Sequence, residues 1–331
     1  MPNPYISGTG FHLPSKVITN HDLSQFMDTT DEWIKERTGI NERRYVESGL
    51  GPSDLAIPAV EQALASAKLE VGDIDFIIFA TSTPDYYAPG AGCLLQDKMG
   101  FNEIGALDIR VQCSGFIYGL SIAEQYIKTG TFKNILLVGA EVQSTAMNLT
   151  DEGRDTAIIF GDGAGAAIIS GTEKQKGILS THMHSEGKYV KELWVEAPAS
   201  NAGNPRITNK DLNKGKHFLK MNGSEVFRHA VKRFPEVILE GLKANQLTTN
   251  DIDLLIPHQA NFRITKMVQK KLDLQNHQVF SNIHKYGNTT AATIPIALAE
   301  AVNQNRINEN DIIIFAAFGS GFTWASAIIK W

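Results

Sequence analysis

Short apolar runs alternate with amphipathic stretches along most of the chain, and this alternation predicts strands followed by helices. The segments Phe76–Thr81 and Asn134–Gly139 are short and largely apolar, which is typical of strands buried on both faces. The segment Ser53–Lys68 carries its apolar residues at helical spacing. We therefore expect an α/β protein whose parallel or mixed sheets have helices packed on them.

One part of this pattern occurs twice. The triplet Asp-Ile-Asp leads into an apolar strand at Asp73–Asp75 and again at Asp251–Asp253, 178 residues later. Such a repeat indicates an internal duplication of one strand–helix unit. We place the two halves at residues 1–171 and 172–331. Halves that pack face to face bring their equivalent loops together, so we expect the functional site between them.

The repeat also relates the surroundings of a cysteine to a segment of the second half. An apolar strand, Ala106–Val111, leads to Cys113, and we match these residues to the strand Val279–Ile283 and the turn Lys285–Asn288. A helix is predicted after Cys113, with its end near Gly130. Each half would therefore present a strand-to-helix turn to the site.

A cysteine at such a turn has a specific chemical consequence. The positive end of a helix dipole and its free N–H groups stabilise a thiolate, and they lower a cysteine pKa from about 8.5 to roughly 3.5–7.5. We therefore predict a reactive thiolate at Cys113. The alternative for this stretch alone is a small buried hydrophobic residue.

Three other segments offer groups that suit a nucleophilic cysteine. His258 follows the strand Leu254–Ile256, and the carboxyl ends of such strands face binding crevices. Asn288 precedes a helix, where the alternative role is an N-terminal cap. The glycine-rich turn Phe318–Phe322 lies between two apolar strands, and its backbone N–H groups are free to form an oxyanion hole.

Composition and charge exclude several function classes. The chain has 331 residues, 43% hydrophobic and 20% charged, with a net charge of -5, which argues against a nucleic-acid-binding protein. Its two cysteines, Cys93 and Cys113, indicate no disulfide framework. No run approaches transmembrane length and no signal-peptide pattern opens the chain, so we expect a cytoplasmic protein with no membrane partner.

The glycine-rich segment Phe160–Ala167 does not have the glycine spacing of a dinucleotide-binding motif. We interpret it as tightly packed core.

Basic residues cluster in the second half of this acidic chain. Eight lie between Arg206 and Arg233, part of which, Asn201–Lys216, is predicted to be a surface excursion. Further on, Arg263, Lys266 and Lys270 share one face of a predicted helix. A basic surface of this kind suits an acidic partner or a phosphate group.

Six motifs follow one another in order over nearly the whole chain: Asp31–Ile34 with Arg37–Ile40, Cys113–Phe116, Phe160–Gly165, His258–Asn261, Tyr286–Thr289 and Ala317–Phe322. Taken together, they resemble the β-ketoacyl-acyl-carrier-protein synthase III family of the thiolase-like superfamily. The resemblance implies a thiolase-like α/β fold of five layers, α-β-α-β-α, built from two duplicated halves, and a homodimer.

The resemblance also assigns roles to residues. Cys113, His258 and Asn288 match the catalytic triad, and the backbone N–H groups of Cys113 and Ser320 would form the oxyanion hole. The helix face with Arg263 would dock the carrier protein through Arg263, Lys266 and Lys270. Ala88 lies in a loop that the family inserts from a partner subunit at the end of the acyl pocket. The residues that match the coenzyme A tunnel are Trp33, Arg37, Arg154, Arg228, Asn261 and Phe318.

The activity that the resemblance implies is a decarboxylative Claisen condensation that initiates fatty acid synthesis. An acyl-CoA acylates Cys113, malonyl-acyl-carrier protein loses carbon dioxide, and the carbanion attacks the acyl-cysteine to give 3-oxoacyl-acyl-carrier protein. Acyl-CoA is a substrate, and no metal or other cofactor is implied.

Several alternatives stay open at this point. One is an acyltransferase or specialised-metabolite condensing enzyme of the same superfamily that uses longer acyl-CoA. Another is a non-catalytic acyl-CoA-binding protein, which the intact Cys113, His258 and Asn288 disfavour. A thiolase mechanism is excluded because no cysteine follows Cys113. The primer's length and branching, the carrier of the extender and the pathway are not determined by the sequence.

Overall fold

Two mixed β-sheets form the frame of the molecule in a computed structural model that describes residues 1–331. The strands are β1 (Asn3–His12), β2 (Lys16–Thr19), β3 (Glu42–Tyr45), β4 (Phe76–Ala80), β5 (Gly105–Ile109), β6 (Asn134–Glu141), β7 (Gly163–Thr172), β8 (Gly177–Ser185), β9 (Leu193–Val195), β10 (Leu219–Met221), β11 (Leu254–Pro257), β12 (Ile312–Gly319) and β13 (Thr323–Lys330).

Eleven helices connect and cover these strands. They are α1 (Asn20–Leu23), α2 (Asp31–Thr38), α3 (Pro52–Ala67), α4 (Ala91–Met99), α5 (Gly115–Lys128), α6 (Arg154–Ala157), α7 (Asn209–Asn213), α8 (Gly223–Ala244), α9 (Phe262–Lys271), α10 (Ile283–Tyr286) and α11 (Thr293–Asn303). None of them combines the length and the apolar content that crossing a membrane would require.

Each sheet takes its strands from one part of the sequence. The first has the order β1-β7-β6-β4-β5, in which β4 runs parallel to β5 and β6 whereas β7 is antiparallel to β6 and β1. The second has the order β11-β12-β13-β8, in which only β11 and β12 are parallel. The prediction of mixed sheets is therefore confirmed.

The helices form three layers around the two sheets. Helices α3 and α4 pack on the outer face of the first sheet, and α8 and α9 pack on the outer face of the second. Helices α5 and α11 lie between the sheets and share one buried apolar cluster with both. Helix α11 is buried on nearly every side, which explains why its sequence is apolar all round. The predicted five-layered α-β-α-β-α order is confirmed.

The structure contains the predicted duplication, and its equivalent elements are again 178 residues apart. Strands β6 and β12 begin at Asn134 and Ile312. A 3₁₀ turn of residues Gln112–Ser114, here called the first turn, precedes α5, and its equivalent Thr290–Ala292, here called the second turn, precedes α11. Each turn opens with a residue other than glycine at positive φ, 45° for Gln112 and 50° for Thr290.

This register corrects the details of our alignment of the halves. The residue equivalent to Cys113 is Ala291, three positions after the proposed turn Lys285–Asn288. The predicted strand Val279–Ile283 is reduced to a single β-bridge between Val279 and Leu255, because the chain enters α10 at Ile283.

Two other sequence interpretations are confirmed. The glycine-rich segment Phe160–Ala167 is buried, and a Cβ at Gly165 would lie 2.7 Å from the backbone nitrogen of Ile296, so glycine there permits close packing against α11. The excursion Asn201–Lys216 is largely exposed and contains only the short α7.

Candidate active site

A cavity of about 650 Å³ between the halves brings the three proposed catalytic side chains together. Cys113 comes from the first half, and His258 and Asn288 come from the second. The other predicted site residues that line this cavity are Trp33, Arg37, Asn261, Arg263 and Phe318.

Cys113 lies in the first turn, directly before α5, and only 5% of it is exposed. The residue before it, Gln112, has a left-handed backbone conformation, a form of strain that is frequent at functional sites. The backbone N–H groups of Cys113 and Ser320 face the sulfur, where they favour its charged form. The two donors expected to form the oxyanion hole therefore converge beside the nucleophile.

The expected thiolate is not supported by these surroundings. Burial, with a smaller contribution from the carboxylate of Glu141, raises the pKa of Cys113 to about 12, although the two N–H donors act in the opposite direction. The sequence argument considered the helix terminus and not the desolvation of the sulfur. The resting nucleophile is thus a neutral thiol.

Gly319, the last residue of β12, allows the glycine turn to approach the nucleophile. A Cβ at this position would lie 2.5 Å from the Cβ of Cys113 and 2.7 Å from its sulfur. Because any side chain would collide with the cysteine, glycine is required for Ser320 to reach the sulfur. The contact joins the end of the second half to the first turn.

His258 follows β11 and is 2% exposed. Its Nδ1 is 2.6 Å from the hydroxyl of Thr293; this hydroxyl donates to the carbonyl of Thr290 at 3.1 Å when Nδ1 carries a proton, and donates to Nδ1 when it does not. The other ring nitrogen, Nε2, has no partner within the protein, so it is the atom available to a ligand. Burial lowers the pKa of His258 to about 3, and the imidazole is neutral at physiological pH.

Asn288 combines the two roles that the sequence left open. Its Oδ1 accepts a hydrogen bond from the backbone N–H of Thr290 at 2.8 Å, which caps the second turn. That contact fixes the amide so that Nδ2 is left for a ligand in the cavity, which Asn288 lines. A neutral imidazole and an amide N–H₂ therefore face the same space as the thiol.

The predicted tunnel residues are only partly brought together. Trp33 is flanked by the guanidinium groups of Arg37 and Arg154, at 4.6 and 4.9 Å from the ring centroid. Arg154 contacts this tryptophan without lining the cavity. Asn261 caps α9 through its Oδ1 and donates from Nδ2 to the carbonyl of Arg37 at 3.0 Å.

One tunnel residue and the acyl-pocket residue lie elsewhere. Arg228 is on an exposed part of α8 and pairs with Glu225, which is three residues earlier on the helix, so it does not line the cavity. Ala88 is exposed and does not line the cavity of its own chain. The role predicted for Ala88 concerns the cavity of a partner subunit and stays a prediction.

The basic helix face borders a second groove. Arg263, Lys266 and Lys270 line a groove of about 630 Å³ on α9, with the exposed apolar side chains of Phe262 and Met267 beside them. Arg263 lines both this groove and the catalytic cavity. The groove is therefore continuous with the rim of the site.

Sequence reasoning missed two residues that support the site. Thr293 holds the ring of His258, and Glu141 lies behind the second turn. A threonine at the start of a helix and a glutamate at the end of a strand carry no local signal of such roles. Only the exact 178-residue offset between the halves, which makes Glu141 the equivalent of Gly319, could have drawn attention to Glu141.

Comparison with known proteins gives a consistent result. Residues 107–187 match the family described as 3-Oxoacyl-[acyl-carrier-protein (ACP)] synthase III, and residues 242–331 match the family of its C-terminal part. Beta-ketoacyl-[acyl-carrier-protein] synthase III of Caldanaerobacter subterraneus is 46% identical over 98% of this chain and 97% of its own. The Clostridioides difficile protein of the same name is 44% identical over 98% of both chains. The crystal structure of 3-oxoacyl-[acyl-carrier-protein] synthase III from Aquifex aeolicus superposes with a TM-score of 0.90 at 40% identity, over 99% of this chain and all of the other.

The raised pKa predicts the order in which the two cysteines react with iodoacetamide. At pH 7 the exposed Cys93 should be alkylated before the buried Cys113, whose rate should keep rising as pH increases beyond 8.5. Peptide mapping of timed samples measures both rates. Faster alkylation of Cys113 at pH 7 would restore the thiolate that the sequence predicted.

The close approach of Gly319 predicts a selective defect in Gly319→Ala. The added methyl must displace Cys113 or the turn, so acylation by acyl-CoA should fall by about 10²-fold or more, the usual cost of a lost oxyanion donor. Gly187→Ala is the matched control, because a Cβ there has no neighbour within 4 Å. Wild-type acylation by a folded Gly319→Ala protein would show that this contact is dispensable.

Proposed function

This chain belongs to the 3-oxoacyl-[acyl-carrier-protein] synthase III family and is an acyl-transferring condensing enzyme of fatty acid biosynthesis with a thiolase-like fold; we propose that it condenses an acyl-CoA primer with malonyl-acyl-carrier protein through an acyl-Cys113 intermediate. The observation that carries this proposal is the shared cavity. The sulfur of Cys113, the free Nε2 of His258 and the amide of Asn288 border one space between the halves.

In the first half-reaction, the sulfur of Cys113 attacks the thioester carbonyl of acyl-CoA. The carbonyl oxygen becomes an oxyanion, and the N–H groups of Cys113 and Ser320 donate to it. The thiol proton passes to Nε2 of His258 and then to the departing coenzyme A thiolate. The neutral resting states of Cys113 and His258 fit this route, because charge develops only when the substrate is bound.

In the second half-reaction, the carboxyl–carbon bond of the malonyl group breaks and carbon dioxide leaves. The electron pair forms an enolate, whose oxygen accepts hydrogen bonds from Asn288 Nδ2 and from His258 Nε2. In this step His258 carries its proton on Nε2 and its Nδ1 accepts from the hydroxyl of Thr293, whereas in the first half-reaction the proton is on Nδ1. The enolate carbon then attacks the acyl carbonyl carbon on Cys113, and collapse of the tetrahedral species breaks the carbon–sulfur bond and gives the 3-oxoacyl product. The Cys113 thiolate that leaves takes up a proton from water and returns to the thiol. The reaction needs no metal or redox cofactor in this proposal.

The mouth of the cavity suits the nucleotide end of coenzyme A. Trp33 offers a flat ring for an adenine, and the nearby guanidinium groups of Arg37 and Arg154 are suited to phosphate. We assign Asn261 and Phe318 to the wall of the same tunnel. Arg228 would contribute only after leaving its partner Glu225.

The groove on α9 is the proposed docking surface for the carrier protein. Its three basic side chains suit an acidic partner, and its exposed Phe262 and Met267 supply apolar contact area. Since Arg263 also lines the catalytic cavity, a carrier protein bound in this groove would be positioned at the tunnel mouth.

The primer pocket is proposed to depend on a homodimer. Strand β5 lies at the edge of the first sheet with one side unpaired, as expected of a strand that can pair with a second copy. The partner's loop would place the small Ala88 at the pocket end. The alternative is that Tyr86 or Tyr87 of the same loop swings in and closes the pocket; Tyr87 contacts Ser200 and Arg206 of its own chain in this structure.

The role of Asn288 predicts that its loss separates the two half-reactions. Asn288→Ala should still acquire an acyl group from acyl-CoA, because the oxyanion hole is intact, whereas condensation should fall by about 10²–10³-fold. Intact mass measures acylation, and release of labelled carbon dioxide measures decarboxylation. Unchanged condensation would return Asn288 to a purely capping role.

The docking proposal predicts a defect that is confined to one substrate. Lys266→Glu with Lys270→Glu should raise the KM for malonyl-acyl-carrier protein and weaken its salt dependence, because attraction becomes repulsion. Acylation by acyl-CoA should be unchanged, since neither lysine lines the catalytic cavity. Lys16→Glu with Lys174→Glu is the control of equal charge change at exposed sites. Equal defects with both substrates would assign the groove to coenzyme A instead.

The open pocket end predicts that acyl chains longer than acetyl are accepted. Each additional buried CH₂ adds about 0.8 kcal/mol of binding. Ala88→Phe should therefore reduce acylation by octanoyl-CoA sharply and spare acetyl-CoA. A wild-type enzyme that is acylated only by acetyl-CoA would contradict this proposal.

A further inference from the structure

Glu141 is a buried carboxylate that the mechanism above does not use. It ends β6, has no exposed surface, and has no cationic partner. Its oxygens accept hydrogen bonds from the backbone N–H and hydroxyl of Ser82 at 3.0 and 2.8 Å, and from the hydroxyl of Thr83 at 2.7 Å. The side chain of Gln143 donates at 3.3 Å and the backbone N–H of Ala291 at 3.4 Å.

Burial of a carboxylate in this way lowers the stability of the fold unless every donor and acceptor of the network has a hydrogen-bond partner. A buried carboxylate loses its hydration, and here only neutral donors replace it. At pH 8, above the value of about 7 to which burial raises the pKa of Glu141, the group is ionised and only accepts hydrogen bonds. The donors around it are thereby held in fixed directions.

The internal duplication shows where Glu141 lies relative to the catalytic site. Glu141 and Gly319 occupy equivalent positions, as do Ala291 and Cys113, each pair 178 residues apart. Gly319 packs on Cys113 of the first turn, and Glu141 accepts a hydrogen bond from Ala291 of the second turn. In the half of the molecule without the nucleophile, a carboxylate therefore stands at the position where Gly319 packs directly on Cys113.

The same network continues to Asn288. Gln143, held by Glu141, donates to the hydroxyl of Thr290 at 2.9 Å. Thr290 has a left-handed backbone, a conformation that needs support from its surroundings. Its N–H in turn orients the side chain of Asn288. Support for the second turn is therefore support for the direction of the Asn288 amide.

We propose that Glu141 is a positioning residue, which through Gln143 and the second turn holds the Asn288 amide toward the enolate; this inference rests on the role of Asn288 proposed above. Loss of the carboxylate removes the common acceptor of the network. The second turn then relaxes, and the amide no longer keeps its direction. The oxyanion hole used in acylation is formed by the first turn and the glycine turn, and neither makes a hydrogen bond to Glu141. The charge of Glu141 opposes ionisation of Cys113, so its removal should not slow acylation.

The test compares Glu141→Gln, Asn288→Ala and the double variant at pH 8, with acylation and decarboxylation measured separately. Glutamine has nearly the same shape but presents an N–H₂ group to the surrounding donors. Glu141→Gln should keep acylation near the wild-type rate and lower decarboxylation by about 10–100-fold, the size of effect that residues orienting the ligands of a metal site have. In the Asn288→Ala background, Glu141→Gln should lower the decarboxylation rate no further, because the two residues act as one unit.

Two further variants keep the test decisive. Gln143→Leu breaks the link to Thr290 without removing the carboxylate, and it should give the same split if Glu141→Gln fails to fold. Glu124→Gln is the matched control, because this buried carboxylate on α5 binds Lys128 and Thr181 away from the site. It should leave both half-reactions unchanged.

The outcomes separate this inference from the proposed function. Equal losses in both half-reactions, or an additive loss in the double variant, would show that Glu141 is merely structural and would overturn the inference. If Asn288→Ala itself decarboxylates at the wild-type rate, the role proposed for Asn288 in the reaction fails and the inference fails with it, whatever Glu141→Gln does.

Discussion

The contact between Gly319 and Cys113 is the constraint on which the site depends. It places the end of the central strand of one half against the strand-to-helix turn of the other, with no room for a side chain between them. The contact brings the N–H of Ser320 to the sulfur and buries the thiol. The equivalent contact, between Glu141 and Ala291, is made by a carboxylate side chain instead of a glycine. The two halves thus share one framework, but one of the two equivalent contacts holds the nucleophile and the other supports the second turn.

The resting site contains no charged catalytic group. Cys113 is a thiol, His258 is a neutral imidazole and Asn288 is an amide, and all three are nearly inaccessible to water. Fixed donors in such a low-dielectric space interact strongly with charge that develops on a substrate, and they need no reorganisation at that moment. Burial therefore has two effects on this chemistry. It disfavours the free thiolate, and it strengthens each hydrogen bond to the oxyanion and the enolate.

Much of this architecture follows from local patterns in the sequence. The two Asp-Ile-Asp triplets reveal the duplication, and the short apolar runs Phe76–Thr81 and Asn134–Gly139 predict strands that are buried on both faces. The features that the sequence did not predict are tertiary. The pKa of Cys113 depends on what covers it, and the position of Arg228 depends on its pairing with Glu225. Residues that act through other residues, such as Thr293, have no spacing that distinguishes them from ordinary helix starts.

The central claim is that one buried cysteine carries the acyl group between two substrates that use the same cavity. The most direct measurement is intact mass and peptide mapping of the enzyme after acyl-CoA is added, followed by a chase with malonyl-acyl-carrier protein. We predict one acyl group on the peptide that contains Cys113, which is lost in the chase as 3-oxoacyl-acyl-carrier protein appears. Condensation without any acyl-enzyme, or an acyl group on a different residue, would contradict the account.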